Sequence, residues 1–208
     1  MSRSTVLKLN RYALITELQK NAGVLLFAVL YAAGLLTGCL MDSAGVLPGI
    51  SDSLFCYLVG TCVSSGFARI LFASFLLPFA FLFCVYLFGT SLLGIAFVPV
   101  FVVLDGVAGG LISGLLYVNY GLSGVAFNLL ILIPCNCIGA LCLIAAAVHS
   151  LKLSYTLSRF LFAEGQSAGN LNIRRYAVSF ATLTLICAIG AMIQALFSIA
   201  FRSFFGIG

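Results

Sequence analysis

The sequence predicts an all-α fold: a polytopic membrane helix bundle of about five transmembrane helices, with one short extracytoplasmic interfacial helix. Three observations predict it. Of 208 residues, 63% are apolar and only 7% are charged, whereas soluble globular chains are about a quarter charged. So few polar residues cannot cover the surface of a water-soluble domain of this length, and a bilayer removes that difficulty by acting as an apolar solvent. Charge-free apolar runs recur at close to the roughly 20 residues a helix needs to cross the hydrocarbon core. The lysines and arginines gather beside these runs instead of inside them, which is the pattern of a topology signal.

The elements follow in order. A basic segment over residues 1–21 leads into a first span at about 22–41, between Lys20 and Asp42. The apolar run from Ile70 to Leu104 is too long for one helix and divides at the stretch Gly89 to Gly94, giving a span at about 70–88 and the start of another. That third span, about 92–118, continues past Asp105 and stops at Asn119-Tyr120-Gly121-Leu122, a turn signal. The fourth, about 123–148, carries Pro134, predicted to kink it, and the fifth occupies about 176–201. Residues 53–65 are moderately apolar but too short to span, and read as an interfacial or re-entrant piece. All of this forms a single transmembrane domain over 1–208.

Orientation comes from the basic residues. Arg3, Lys8, Arg11 and Lys20 precede the first span, and Lys152, Arg159, Arg174 and Arg175 lie between the fourth and fifth. Five passes place both groups on one side, the cytoplasm, leaving Arg69, Arg202, Asp42 and Asp52 opposite. The N-terminus is then cytoplasmic and the C-terminus extracytoplasmic. A sixth span at 53–65 would split the two basic groups and is rejected. The net charge of +5 is explained by this placement and by anionic lipid head groups; nucleic acid is not an expected partner.

Eight cysteines sit mostly inside apolar runs, where they behave as small packing residues. Cys135 and Cys137 point to different faces of a helix, so they do not chelate one ion. Cys56 and Cys62 are spaced poorly for a disulfide and read as free thiols. No metal site and no cofactor are expected. Leu36-Thr37-Gly38-Cys39 has the letters of a lipoprotein signal box, but the 20-residue leader is long for a signal, and the stretch reads as part of a helix rich in small residues.

Gly106, Gly110 and Gly114 repeat at every fourth position and line one helix face. In lipid, close backbone approach drives helix association, so this face is expected to pack tightly, within the chain before a partner. Asp105 is the one charged residue deep inside a span. It costs roughly 2.5–3.5 kcal/mol at the bilayer centre and must face the bundle interior or a polar cavity, as a hydrogen-bonding clamp in preference to a proton or ion site. The register of the third and fourth spans follows from their turn between Tyr120 and Gly121. In an antiparallel hairpin, Asp105 and Asn136 come level at about 23 Å from the turn, and Ser113 and Asn128 at about 11 Å. His149 sits at a span end beside Lys152. No catalytic residue is expected, because this single histidine lacks a nucleophile and an orienting acid, and the chain reads as non-enzymatic.

Several short motifs fall in a recognisable order: Phe88-Gly89-Thr90-Ser91-Leu92-Leu93-Gly94, the glycine ladder at 106, 110 and 114, Gly121-Leu122-Ser123-Gly124, Pro134-Cys135-Asn136, and Ser150 to Leu153. In this order and spacing the chain resembles the stage II sporulation protein M family. The motifs cover about a third of the chain, and the hydropathy profile fits nearly all of it. The resemblance implies a scaffold in the mother-cell membrane of an endospore-forming bacterium. It also implies two peptidoglycan-degrading partners, stage II sporulation proteins D and P, held at the engulfing membrane. Asp105 stands where the family often has a basic residue, and Ile138, Gly139 and Ala140 stand where many relatives have a glutamate. A permease-like transport component, with Asp105, Asn128 and Asn136 along a polar path, is the alternative.

Overall fold

The computed structural model describes residues 22–44, 49, 53, 56–64, 66–91, 93–162 and 173–205. The basic residues Arg3, Lys8, Arg11 and Lys20, together with Asp52, lie outside them. The described elements are all helical: α1 (Ala22–Ser43), a π-helical turn (Cys56–Gly60) leading into the short α2 (Thr61–Ser64), α3 (Phe67–Gly89), α4 (Gly94–Phe127), a second π-helical turn (Asn128–Leu132), α5 (Ile133–Phe162) and α6 (Ile173–Phe205).

Among the described residues, four helical stretches are long and apolar enough to cross a membrane: Ala22–Ser43, Phe67–Gly89, Gly94–Ser158 and Tyr176–Phe201. The sequence predicts five. The difference lies in the third stretch, which is 65 residues long. Helical hydrogen bonding resumes so closely on both sides of the expected turn that no loop separates the two spans. The turn is one residue, Gly121, with φ 55° and ψ −131°, a conformation that only glycine adopts readily. A straight helix of this length would extend about 98 Å, three times the hydrocarbon thickness. Instead the chain folds back. Ser154 of α5 lies against Gly94 at the start of α4, and Asn128 bonds Ser113 across the reversal.

The expected kink at Pro134 takes a different form. Pro134 is the second residue of α5, directly after the π-helical turn Asn128–Leu132. Proline has no N–H and its ring collides with the carbonyl four residues back, and the wider π turn accommodates both effects.

Side-chain distribution is inverted relative to a soluble protein. Large apolar residues such as Leu36, Leu40, Leu122, Leu141, Leu185 and Leu196 are exposed, while Ser74, Ser150, Ser154, Gln194 and Ser198 are buried. Contiguous exposed apolar surface of this kind marks contact with lipid or a partner. Among the described residues the interior contains two apolar clusters. One joins Phe27, Leu82, Val85, Val98, Val102, Leu143 and Phe180. The other joins Ile70, Ile112, Leu116, Phe127, Ile131 and Ala195 with Val59 and Cys62. The short segment expected to be an interfacial or re-entrant piece therefore inserts two side chains, Val59 and Cys62, into the bundle.

Candidate functional site

Three arrangements hold the helices, and the third of them encloses space. The first is the contact of α1 with α4. A Cβ added to Gly34 would lie 2.5 Å from the Val103 carbonyl oxygen and 3.2 Å from Gly106 Cα. One added to Gly38 would collide with the Val107 carbonyl and stand 3.0 Å from Gly110 Cα. The two backbones touch, and only glycine permits it. Cys39 Sγ donates to the Gly110 carbonyl at 3.3 Å within the same contact, so the Leu36–Cys39 stretch is part of this helix and its packing. Gly114, the third rung, is closed by the side chain of Asp42, whose Oδ2 would be 2.9 Å from an added Cβ. Residue numbers rise together along both helices, so α1 and α4 run parallel.

The second arrangement pairs α3 with α5, also parallel, through hydroxyl groups. Ser150 Oγ donates to the Val85 carbonyl at 3.2 Å and shares a 2.9 Å hydrogen bond with the Tyr176 hydroxyl from α6. Ser154 Oγ lies 3.0 Å from the carbonyls of both Gly89 and Ser91, where α3 ends. These are orphan carbonyls of a helix C-terminus, satisfied here by a side chain from a neighbouring helix. The Tyr176 ring stacks on Tyr86 at 5.3 Å. Gly89 and Gly94 are glycines because Ser150, Tyr176 and Ser154 occupy the space a Cβ would fill.

The third arrangement is a cavity of about 40 Å³ between the two apolar clusters. All five long helical segments reach it: Tyr31 from α1, Ser74 and Pro78 from α3, Asp105 and Gly109 from α4, Asn136 and Gly139 from α5, and Gln194 from α6. Asp105 and Asn136 thus come level, as the hairpin register requires. Among the described residues no direct hydrogen bond joins the two side chains, which face the same cavity. The outer pair does bond, with Asn128 Nδ2 donating to Ser113 Oγ at 3.0 Å, while Asn128 Oδ1 is buried with no partner among the described residues. Ser113 in turn donates to the Gly109 carbonyl at 2.9 Å.

The cavity contains polar residues that motif reasoning passed over. Gln194 is the one amide of α6 and could be found by the reasoning that singled out Asn128 and Asn136. It is 3% exposed, and its Nε2 lies 3.6 Å from Cys62 Sγ in α2. Ser74 precedes Pro78 by four residues, so Pro78 leaves the Ser74 carbonyl without its helical donor. Of the expected cysteine pair, Cys135 is buried and lines the cavity while Cys137 is exposed, on different faces as their spacing requires. All eight cysteines are free thiols. Compared with family models, with curated proteins and with solved structures, the chain matches none.

Proposed function

We propose that the chain is a five-pass membrane scaffold of the kind the stage II sporulation protein M resemblance implies, a non-enzymatic anchor that holds peptidoglycan-degrading partners at the engulfing membrane. One observation carries this reading: the residues that carry the resemblance are the ones that hold the bundle together. Gly89 and Gly94 sit under the serine and tyrosine hydroxyls. Gly106 and Gly110 meet α1, Gly121 makes the reversal, Pro134 follows the π turn, and Ser150 joins α5 to α3 and α6.

The five passes rest on the parallel pairs. For α1 to run parallel to α4, and α3 to α5, the chain must recross between the members of each pair. With the positive residues near α5 and α6 on the cytoplasmic side, the Gly121 reversal and the Cys56–Ser64 segment lie outside. Deletion of the gene in an endospore-forming host is expected to arrest engulfment and disperse the two hydrolases, with vegetative growth normal. Affinity purification from sporulating cells is expected to recover those hydrolases. The second reading, a permease-like component, is favoured by the polar cavity around Asp105. A deletion strain that sporulates normally but fails to move a solute would establish it in place of the scaffold.

A further inference from the structure

The cavity combines three properties that ordinary internal packing does not require. It has a carboxyl group deep in a hydrophobic segment, where charge is expensive unless it is paired. It is surrounded by neutral oxygen donors on every other helix: the Tyr31 and Ser74 hydroxyls and the Asn136 and Gln194 amides. The rest of its lining is apolar, with Leu77, Ile112, Leu132 and Ala140 beside the polar groups, so little else competes for them. Gln194, almost wholly buried, uses its Nε2 on Cys62, and its Oε1 bonds no described residue. At roughly 10–15 Å³ for each water-sized body, the space takes about three such bodies.

We propose that this cavity is a binding site for one monovalent alkali cation, probed below with sodium, with Asp105 as the single anionic ligand. The charge count selects the ligand. One carboxylate balances one positive charge, whereas a divalent ion would leave an uncompensated charge inside the bundle, and dedicated calcium sites gather several carboxylates. Hard oxygen donors suit an alkali cation, and sulfur ligands do not. A carbonyl released by a proline inside a membrane helix is a recurring kind of ligand for such ions, and Pro78 releases that of Ser74. Because the donors come from five helical segments, the ion would tie all of them together at one depth, and its occupancy would be read as stability of the whole bundle.

The site does not depend on the scaffold reading, because it is tested on the purified chain alone. Thermal unfolding of the full-length protein in lipid nanodiscs is followed as sodium chloride replaces choline chloride at constant ionic strength, with radioactive sodium binding measured in parallel. The expected result is saturable binding of about one ion per chain and a midpoint that rises with sodium concentration. Asp105→Asn, which keeps the side-chain shape, should abolish both effects. Ser74→Ala and Gln194→Leu should each weaken sodium binding about tenfold, and they provide the test if Asp105→Asn does not fold. Asp42→Asn, outside the cavity, should leave sodium binding unchanged. The proposal is overturned if sodium neither binds nor stabilises the native chain, if sodium acts equally on Asp105→Asn, or if Asp42→Asn removes the effect. It is also overturned if the midpoint responds to pH through Asp105 but to no alkali cation, which would make the cavity a site for protons and water.

Discussion

Two parallel helix pairs run through the bundle, α1 with α4 and α3 with α5, and different chemistry joins them. The first is a backbone contact: Gly34 and Gly38 face Gly106 and Gly110, and no side chain intervenes. The second is bridged, with Ser150 and Ser154 donating across to carbonyls of α3 and its C-terminal turn. In a bilayer neither pair gains much from apolar burial, since lipid is as apolar as leucine. The glycine pair depends on shape, so it fails abruptly when any atom is added. The serine pair depends on hydrogen bonds of modest individual strength, so it weakens gradually as they are removed.

Substitutions that break this contrast should fall in a definite order. Gly110→Leu is expected to cost about 3 kcal/mol or more, because the added atoms meet the Leu35 carbonyl and Gly38 Cα, which are backbone and cannot rotate away. Denaturant titration in mixed micelles should show this loss together with the release of α1 from the bundle. A stability equal to that of the parent would mean that the helices do not touch there. Ser154→Ala should cost about 1 kcal/mol in the same titration, toward the upper part of the range for membrane hydrogen bonds, because it serves two carbonyls at a helix end. Tyr176→Phe should cost about 0.6 kcal/mol, since of its hydroxyl's two contacts the one to the Tyr86 carbonyl is long at 3.3 Å and the ring can keep its stack on Tyr86. Gly23→Ala marks the lower end: the nearest atom to its added Cβ is a Val148 methyl at 3.8 Å, so the change should stay within about 0.5 kcal/mol. A Gly23→Ala cost as large as that of Gly110→Leu would erase the distinction between ladder glycines and the rest.

The difference between the two pairs also decides what could be read from the sequence. Glycine every fourth residue is visible as a pattern, and Gly106, Gly110 and Gly114 were identifiable as a packing face. Their partner rungs Gly34 and Gly38 have the same four-residue spacing in a stretch that reads as a helix rich in small residues, but one such pair does not say which helix it faces. The hairpin register was legible because depth along an antiparallel pair is set by counting from the turn, and Ser113 and Asn128 meet on that count. Counting fixes depth but not rotation or spacing, so it could not tell a direct Asp105–Asn136 bond from two groups facing a shared cavity. Serines and tyrosines are too common in spans to signal a role singly. The contacts of Ser154 and Tyr176 became visible only when the fold brought residues more than 60 positions apart together. The expected third and fourth spans run together as one helical stretch because a one-residue reversal at Gly121 leaves no polar loop behind.

The parallel pairs carry the topology, so reporter fusions that distinguish the two sides of the membrane test the account most directly. Alkaline phosphatase, active only outside the cytoplasm, would be joined after Tyr120, after Ala163 and after Gly208. The account predicts activity at Tyr120 and Gly208 and none at Ala163, because the chain crosses once between each of these points. The same readout at Tyr120 and Ala163 would contradict the crossing of α5 and with it the parallel pair of α3 and α5; the same readout at Ala163 and Gly208 would remove α6 as a pass and contradict five passes.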